Sequence, residues 1–328
     1  MNAPAVTRQS LGRHAPTISA YLLCIILFVA ATAYTPGFAA PTHIRQLAIF
    51  ASFVGFAALG QTFVILAGGL DLTVPWLMAF GGIQLAHWTG VTGLPDWLNI
   101  GLVVLVGCAV GLANGIGVAV LRVPPIIMTL GVGGLVQAYL LKIGLLQSQG
   151  NQVPHAAVRM AYGKIGPVPV IPLIWLAIAV VTALVLVRTA FGRRLYAVGA
   201  NATVARLSGV NVTAVRVGTY VISGATSVFA GIVVSGYIGT SYLDIGAPYL
   251  FASIAAVAVG GASILGGRGS YWGTVAGALT LTFLSAMLPL FNLNNAALDI
   301  VYGIVILVGV YLARVSLIVM QKGETHRG

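Results

Sequence analysis

Apolar runs of about 20 residues recur between Thr17 and Val315 with almost no charge inside them, and that is roughly the length a helix needs to cross a bilayer. Only 6% of the 328 residues are charged, against about 25% in soluble domains. So few charges cannot cover a folded chain in water. In lipid, apolar side chains can stay outside over a band of about 30 Å. The implied fold class is all-α, a polytopic integral membrane protein. Many of its 42 glycines sit inside the apolar runs, where small residues let helices approach closely. Gly107, Gly111 and Gly115 recur at helical spacing, as do Gly273 and Gly277, and helix packing explains both sets.

About ten spans are predicted from these runs: Thr17–Tyr34, Leu47–Leu66, Leu72–Trp88, Trp97–Leu121, Ile126–Leu145, Val170–Val187, Gly218–Tyr237, Leu250–Leu265, Trp272–Leu290 and Ala296–Val315. Leu72–Trp88 and Leu250–Leu265 are short and adjoin glycine pairs, so either fits a broken or re-entrant helix. Lys and Arg concentrate in cytoplasmic loops. With the amino terminus inside, an even number of crossings leaves only Arg45, Lys142, Arg159 and Lys164 of the 16 basic residues outside. Both termini are then cytoplasmic, as tails 1–16 and 316–328 around a transmembrane domain 17–315. Arg8 and Arg13 before an apolar run also fit a signal peptide. That run is longer than a usual signal core, however, and its removal would put the basic loops on alternate sides.

Three connections stand out, one of them the inner turn Gly260–Ser270, which is rich in glycine. The outer segment 146–169 is polar and carries Pro154, Pro167 and Pro169, which suits a docking surface or a plain connector. The inner segment 188–216 is long, basic and partly helical, with Thr203–Leu207 its best helical stretch.

Net charge of +11 comes from residues scattered between apolar runs, with no aromatic-interleaved basic patch, so a membrane surface fits better than nucleic acid. Cys24 and Cys108 lie inside apolar runs and read as small hydrophobes. The five acids, Asp71, Asp96, Asp244, Asp299 and Glu324, form no acid/base pair at helical spacing, and the histidines form no metal-ligand set. Neither catalysis nor a bound cofactor is expected. Gly266-Gly267-Arg268-Gly269-Ser270 lacks the Gly-Lys-Ser/Thr of a phosphate loop, so any ATP must act through another subunit. Asp71 alone is a candidate for an intramembrane carboxylate. It sits between Gly68-Gly69 and a span that opens on Thr73 and Pro75, where it either caps a helix or lines a solute path.

Four segments in order resemble the membrane subunit of ATP-binding-cassette importers for ribose, xylose and related monosaccharides. They are Gly60-Gln61-Thr62-Phe63-Val64-Ile65-Leu66-Ala67-Gly68-Gly69-Leu70-Asp71-Leu72-Thr73 and Val123-Pro124-Pro125-Ile126-Ile127-Met128-Thr129-Leu130-Gly131. Next comes Phe191-Gly192-Arg193-Arg194-Leu195-Tyr196-Ala197-Val198-Gly199-Ala200-Asn201, continued by Ala205-Arg206-Leu207-Ser208-Gly209-Val210. Last are Ile254–Gly261 and Gly266–Ser270. The resemblance covers nearly the whole chain.

It implies a homodimeric permease of the inner membrane, an ATPase on the cytoplasmic face, a periplasmic sugar-binding protein outside, and inverted five-helix halves. The coupling contact with the ATPase would fall on Gly192, Arg193, Tyr196, Gly199, Asn201, Ala205, Arg206 and Gly209. The translocation pathway would involve Gly68, Gly69, Asp71, Thr73, Pro125, Thr129 and Phe251. Pro75 and Leu250-Phe251-Ala252 depart from the family pattern near the breaks, which leaves pentose, hexose and sugar alcohol all admissible. An ion-coupled secondary transporter or channel would need more intramembrane ionisable groups than Asp71. A permease for branched-chain amino acids shares the plan but should lack the Gly-Gly-x-Asp-Leu element.

Overall fold

The computed structural model describes residues 5–146, 153–288 and 295–325. The helices run, in order, α1 Ala5–Tyr34, α2 Pro41–Leu66, α3 Val74–Thr92, α4 Asp96–Ala119, α5 Pro125–Leu146, α6 His155–Tyr162, α7 Val170–Arg188, α8 Ala190–Ala200, α9 Ala202–Leu207, α10 Val212–Ile238, α11 Tyr249–Val259, α12 Tyr271–Met287 and α13 Asn295–Thr325. A two-residue antiparallel hairpin, Lys164–Ile165 with Val168–Pro169, precedes α7, and a 3₁₀ turn at Leu243–Gly246 precedes α11.

Among the described residues, six helical segments are long and apolar enough to cross a membrane: Pro16–Tyr34, Pro41–Leu66, Asp96–Ala119, Pro125–Ile143, Val170–Arg188 and Val212–Ile238. They differ in where their apolar faces go. In α2, 89% of the apolar window is buried inside the protein, against 17% in α1 and 28% in α5 and α7. The first is a central helix; the other three present most of their surface outward, where lipid must replace protein as the solvent. α10 is the second central helix, packed against α2, α3 and α4.

That packing uses the glycine seam. A Cβ at Gly111 would fall on the carbonyl of Tyr220, and one at Gly107 on Val228 and the Gly224 carbonyl; Gly224 in turn faces the Gly107 carbonyl. α4 and α10 therefore meet backbone to backbone. With no net hydrophobic force between helices in lipid, such contact is a main source of association.

The expected spans map onto α1–α5, α7 and α10–α13, with three differences. α11 is 11 residues long, roughly 16 Å at the rise of an α-helix, so Leu250–Leu265 is not one crossing. Its helix stops at Val259, where Gly261 takes φ +80° and donates to Ala258 O while Ala262 donates to Val257 O. The segment 188–216 is not one loop, because α7 runs to Arg188, α10 begins at Val212, and α8 and α9 fill the interval. The segment 146–169, expected on the outer side, is likewise structured from Val153 onward, while 147–152 lies outside the described residues. There Asp96 accepts the Ala156 amide at 3.0 Å, and Tyr162 stacks on Tyr237 and donates to its carbonyl at 2.7 Å. The end of the expected span Trp272–Leu290 also passes outside the described residues, and helix α13 continues from the last span through the expected tail to Thr325.

Gly111→Leu places a side chain on the α10 backbone and is expected to lower stability by about 2 kcal/mol or more. Gly101→Leu on the same helix, where a Cβ meets nothing within 4 Å, should be neutral. Thermal unfolding of the two purified variants in detergent tests the contrast.

Candidate functional site

The segment between α7 and α10 is built by caps. Thr189 Oγ1 accepts the Gly192 amide at 3.2 Å and starts α8. Asn201 ends α8 and starts α9: its Oδ1 accepts from Thr203 N at 3.0 Å and Val204 N at 3.1 Å. α9 closes at Gly209, whose φ of +80° lets it donate to Arg206 O while Val210 donates to Ala205 O. Asn211 then caps α10 through the Ala214 amide. Along α8 the buried residues are Gly192, Leu195 and Val198, a helical stripe, while Arg193 and Arg194 are exposed on the other side.

α8 abuts α7 at Gly192 and the end of α2 at Gly199. A Cβ at Gly199 would strike the Leu66 carbonyl and the Gly267 amide, so the three backbones touch. Gly267 N donates to Leu66 O at 3.0 Å, and Tyr196 OH donates to Gly269 O at 2.8 Å. Burial pushes the Tyr196 phenol above its ordinary value. α8, the end of α2 and the turn 260–270 form one block.

Immediately beyond Leu66 the chain leaves helical geometry. Gly68, at φ +80°, donates to Ile65 O and Gly69 to Val64 O, the paired bonds of a glycine-terminated helix. An extended stretch then leads to Thr73, the residue before α3. Asp71 is fully buried; its Oδ1 accepts the Thr73 amide at 2.9 Å and the Thr73 hydroxyl, which also accepts from Asn114 Nδ2 at 3.2 Å. Thr73 therefore holds the position before the helix, and Asp71 braces it from two residues earlier.

The other side of this cluster is unsatisfied. Asp71 Oδ2, Asn114 Oδ1, Ser223 Oγ and Ser227 Oγ are buried without a hydrogen-bond partner among the described residues, as are both polar atoms of Gln61. Ser223 stands beside the Asp71 carboxylate without hydrogen-bonding geometry. Each such group costs about 1–3 kcal/mol when left dry, so the cluster is suited to polar donors from water or a solute.

A cavity of about 410 Å³ lies against the same break, lined by Gly68, Gly69, Val118, Arg122, Pro124, Pro125, Arg206, Arg216 and Tyr220 among others. Tyr220 lines it and neighbours Asp71, which does not line it, and the Tyr220 hydroxyl donates to Leu70 O at 3.4 Å. Of the residues expected along a pathway, Gly68, Gly69 and Pro125 line this cavity, Asp71 and Thr73 lie behind it, and Thr129 is buried with its hydroxyl on Pro125 O at 2.8 Å. Phe251 is 45% exposed on α11 and is not brought to the cavity. Of the expected coupling residues, Arg206 lines the cavity, Ala205 is buried, and Gly192, Tyr196, Gly199, Asn201 and Gly209 shape the two helices. Sequence reading missed Asn114, Ser223 and Tyr220. A polar residue inside an otherwise apolar helix was the available signal for Asn114.

Asn201→Ala removes both bonds that start α9 and should cost about 1 kcal/mol locally. Hydrogen exchange at the Thr203 and Val204 amides is expected to accelerate about fivefold, the factor that energy carries, with the amides of α2 unchanged.

Residues 43–310 match a family model described as branched-chain amino acid transport system / permease component. The ribose import permease protein RbsC of Haemophilus influenzae is 32% identical over 92% of this chain and 94% of its own length. The inner membrane ABC transporter permease protein YjfF of Escherichia coli strain K12 is 34% identical over 78% of this chain and 76% of its own. The fructose import permease protein FrcC of Rhizobium meliloti is 32% identical over 81% and 75%. No solved structure matches. With the matched region running from the start of α2 into α13, the chain belongs to this family of transport-system permease components.

Proposed function

We propose that this chain is the permease subunit of an ATP-binding-cassette importer and forms the path for a monosaccharide or related polyol across the inner membrane. The observation that carries this reading is the convergence of four segments far apart in sequence. The end of α2, the turn before α5, helices α8–α9 and the turn 260–270 meet at one end of the molecule. In such an arrangement α8 and α9 are the contact for a separate cytoplasmic ATPase. ATP hydrolysis belongs to that subunit, and this chain performs no catalysis. Because α8 abuts the Leu66 carbonyl, displacement of α8 is passed straight to the break that holds Asp71 and Thr73.

Three further assignments rest on the same reading. The α6 end of the molecule faces a periplasmic sugar-binding protein. A second copy of the chain completes the pathway. The two halves are inverted, for which α2 and α10 supply support: α2 ends at α8 and is followed by a break and α3, whereas α10 ends against α6 and is followed by a break that holds the 3₁₀ turn Leu243–Gly246 and then α11.

The relatives named for ribose and fructose import favour a sugar, and so does the chemistry of the break. Its free groups are mostly hydroxyl and amide oxygens, which suit hydroxyl donors.

Two measurements on the importer reconstituted with its ATPase and binding protein test the proposal. Gly199→Val should insert normally yet reduce sugar-stimulated ATP hydrolysis to its basal rate; retained stimulation refutes the coupling role. Asp71→Asn should slow uptake about tenfold or more, the scale of one buried charged hydrogen bond, while Asp299→Asn, on an exposed part of α13, stays within about twofold. Equal effects would leave Asp71 a brace and nothing more.

A further inference from the structure

Arg122, Arg206 and Arg216 come from three different places, the turn after α4, helix α9 and the second turn of α10, yet all three line the one 410 Å³ cavity. Among the described residues none of the three guanidinium groups hydrogen-bonds or pairs with a carboxylate. The nearest acid, Asp71, is fully buried behind Tyr220 and does not line the cavity. Like charges gathered in a concavity repel one another more strongly than in open water. A preference for basic residues on the cytoplasmic side accounts for arginines at this end of the molecule, but not for their convergence.

Arg122 adds a second observation. It is the one described residue other than glycine with positive φ, at 59°, a conformation that side chains with a Cβ adopt with strain. Glycine would hold this turn more easily. A strained residue that carries a guanidinium into a pocket is a candidate for a used group.

We propose that the cavity is a binding site for a small phosphorylated solute of sugar-phosphate size, taken from the cytoplasm. The volume falls in the range of about 300–1,000 Å³ typical of small-molecule sites. Three guanidinium groups offer the forked donors that match phosphate oxygens, and a phosphate monoester brings the charge they lack. The backbone amides of Gly68 and Gly69 are already committed to Ile65 O and Val64 O, so recognition falls to the arginines. The ligand would tie Arg206 of α9 to Arg122 and Arg216, holding the coupling helices against α4 and α10. A phosphoryl-transfer step acting on the imported cargo would generate such a ligand, which makes the site a product brake on import. This last role rests on the sugar-permease reading; the binding itself does not.

The test uses the full-length chain in phosphatidylcholine nanodiscs, titrated calorimetrically with ribose 5-phosphate, inorganic phosphate and ribose. Ribose 5-phosphate should bind at least about tenfold more tightly than ribose, with inorganic phosphate between them. Arg206→Gln, Arg216→Gln and Arg122→Gly should each weaken ribose 5-phosphate about tenfold. Arg122→Gly removes the charge and relieves the strained φ, so it keeps the test valid if another variant misfolds. Equal binding of ribose and ribose 5-phosphate, or variants that bind as the parent does, overturns the proposal. So does loss of ribose 5-phosphate binding when phosphatidylglycerol replaces part of the lipid, which would assign the pocket to a headgroup. Variants that lose only assembly with the ATPase, with ribose 5-phosphate binding unchanged, overturn it as well. Because binding is read without transport, a site that survives while sugar-stimulated hydrolysis fails would count against the sugar-permease reading and not against the site.

Discussion

The carbonyl of Leu66 holds together parts of the chain that sequence keeps far apart. It closes α2, the most buried of the membrane-crossing helices, and accepts the Gly267 amide at 3.0 Å. Gly199 lies against it so closely that no side chain would fit. The last carbonyls of any helix lack partners within it, and in the dry interior of a membrane protein they must find them elsewhere. Here the partner is a turn far along the chain, and the fit requires a third backbone with no Cβ. The position of α8 is therefore fixed by the needs of α2, and neither moves without the other.

Beyond Leu66 the opposite condition holds. Gly68 and Gly69 satisfy the end of α2, and Asp71 braces the Thr73 amide and hydroxyl, yet Asp71 Oδ2, Asn114 Oδ1 and Ser223 Oγ find no partner among the described residues. A stable core would fill those positions with apolar groups at little cost. Retaining oxygens there puts polar acceptors at the point where two helices are interrupted and a cavity approaches. Structure that is over-determined up to Gly69 and under-satisfied just beyond it is what a moving solute path needs.

The spans were legible because apolar length is a local property, and the breaks at Gly68-Gly69 and Gly260-Gly261 were legible because glycine marks the left-handed turns that end α2 and α11. α8 was not. Gly192, Gly199 and adjacent arginines depress its helical pattern, and its hydrophobic stripe needs the end of α2 to make sense. α6 escaped for a similar reason: its buried face consists of Ala157 and Ala161, too small to register as apolar periodicity. The polar cluster divided along the same line. Asp71 and Thr73 are neighbours in sequence and stood out together, whereas Asn114 and Ser223 reach them from α4 and α10 through contacts that only the packed glycine seam creates. Phe251 is close to a break in sequence but does not line the cavity.

The seam also limits how the break can open. α4 and α10 meet through backbone at Gly107, Gly111 and Gly224, and rigid contact of that kind does not yield gradually. Asn114 on one helix and Ser223 on the other are thus held as a fixed wall. The bond between Tyr220 OH and Leu70 O is the weaker link: at 3.4 Å it is near the limit of a hydrogen bond, against 2.9 Å for the Thr73 amide on Asp71. Tyr220 lines the cavity and neighbours the carboxylate, while Leu70 belongs to the stretch that continues from the end of α2. A pull on α8 reaches that stretch through the contact of Gly199 with Leu66 O. Under the proposed coupling the strain is therefore relieved first at the Tyr220–Leu70 contact, where separation breaks the longest bond and joins the unsatisfied oxygens to the cavity.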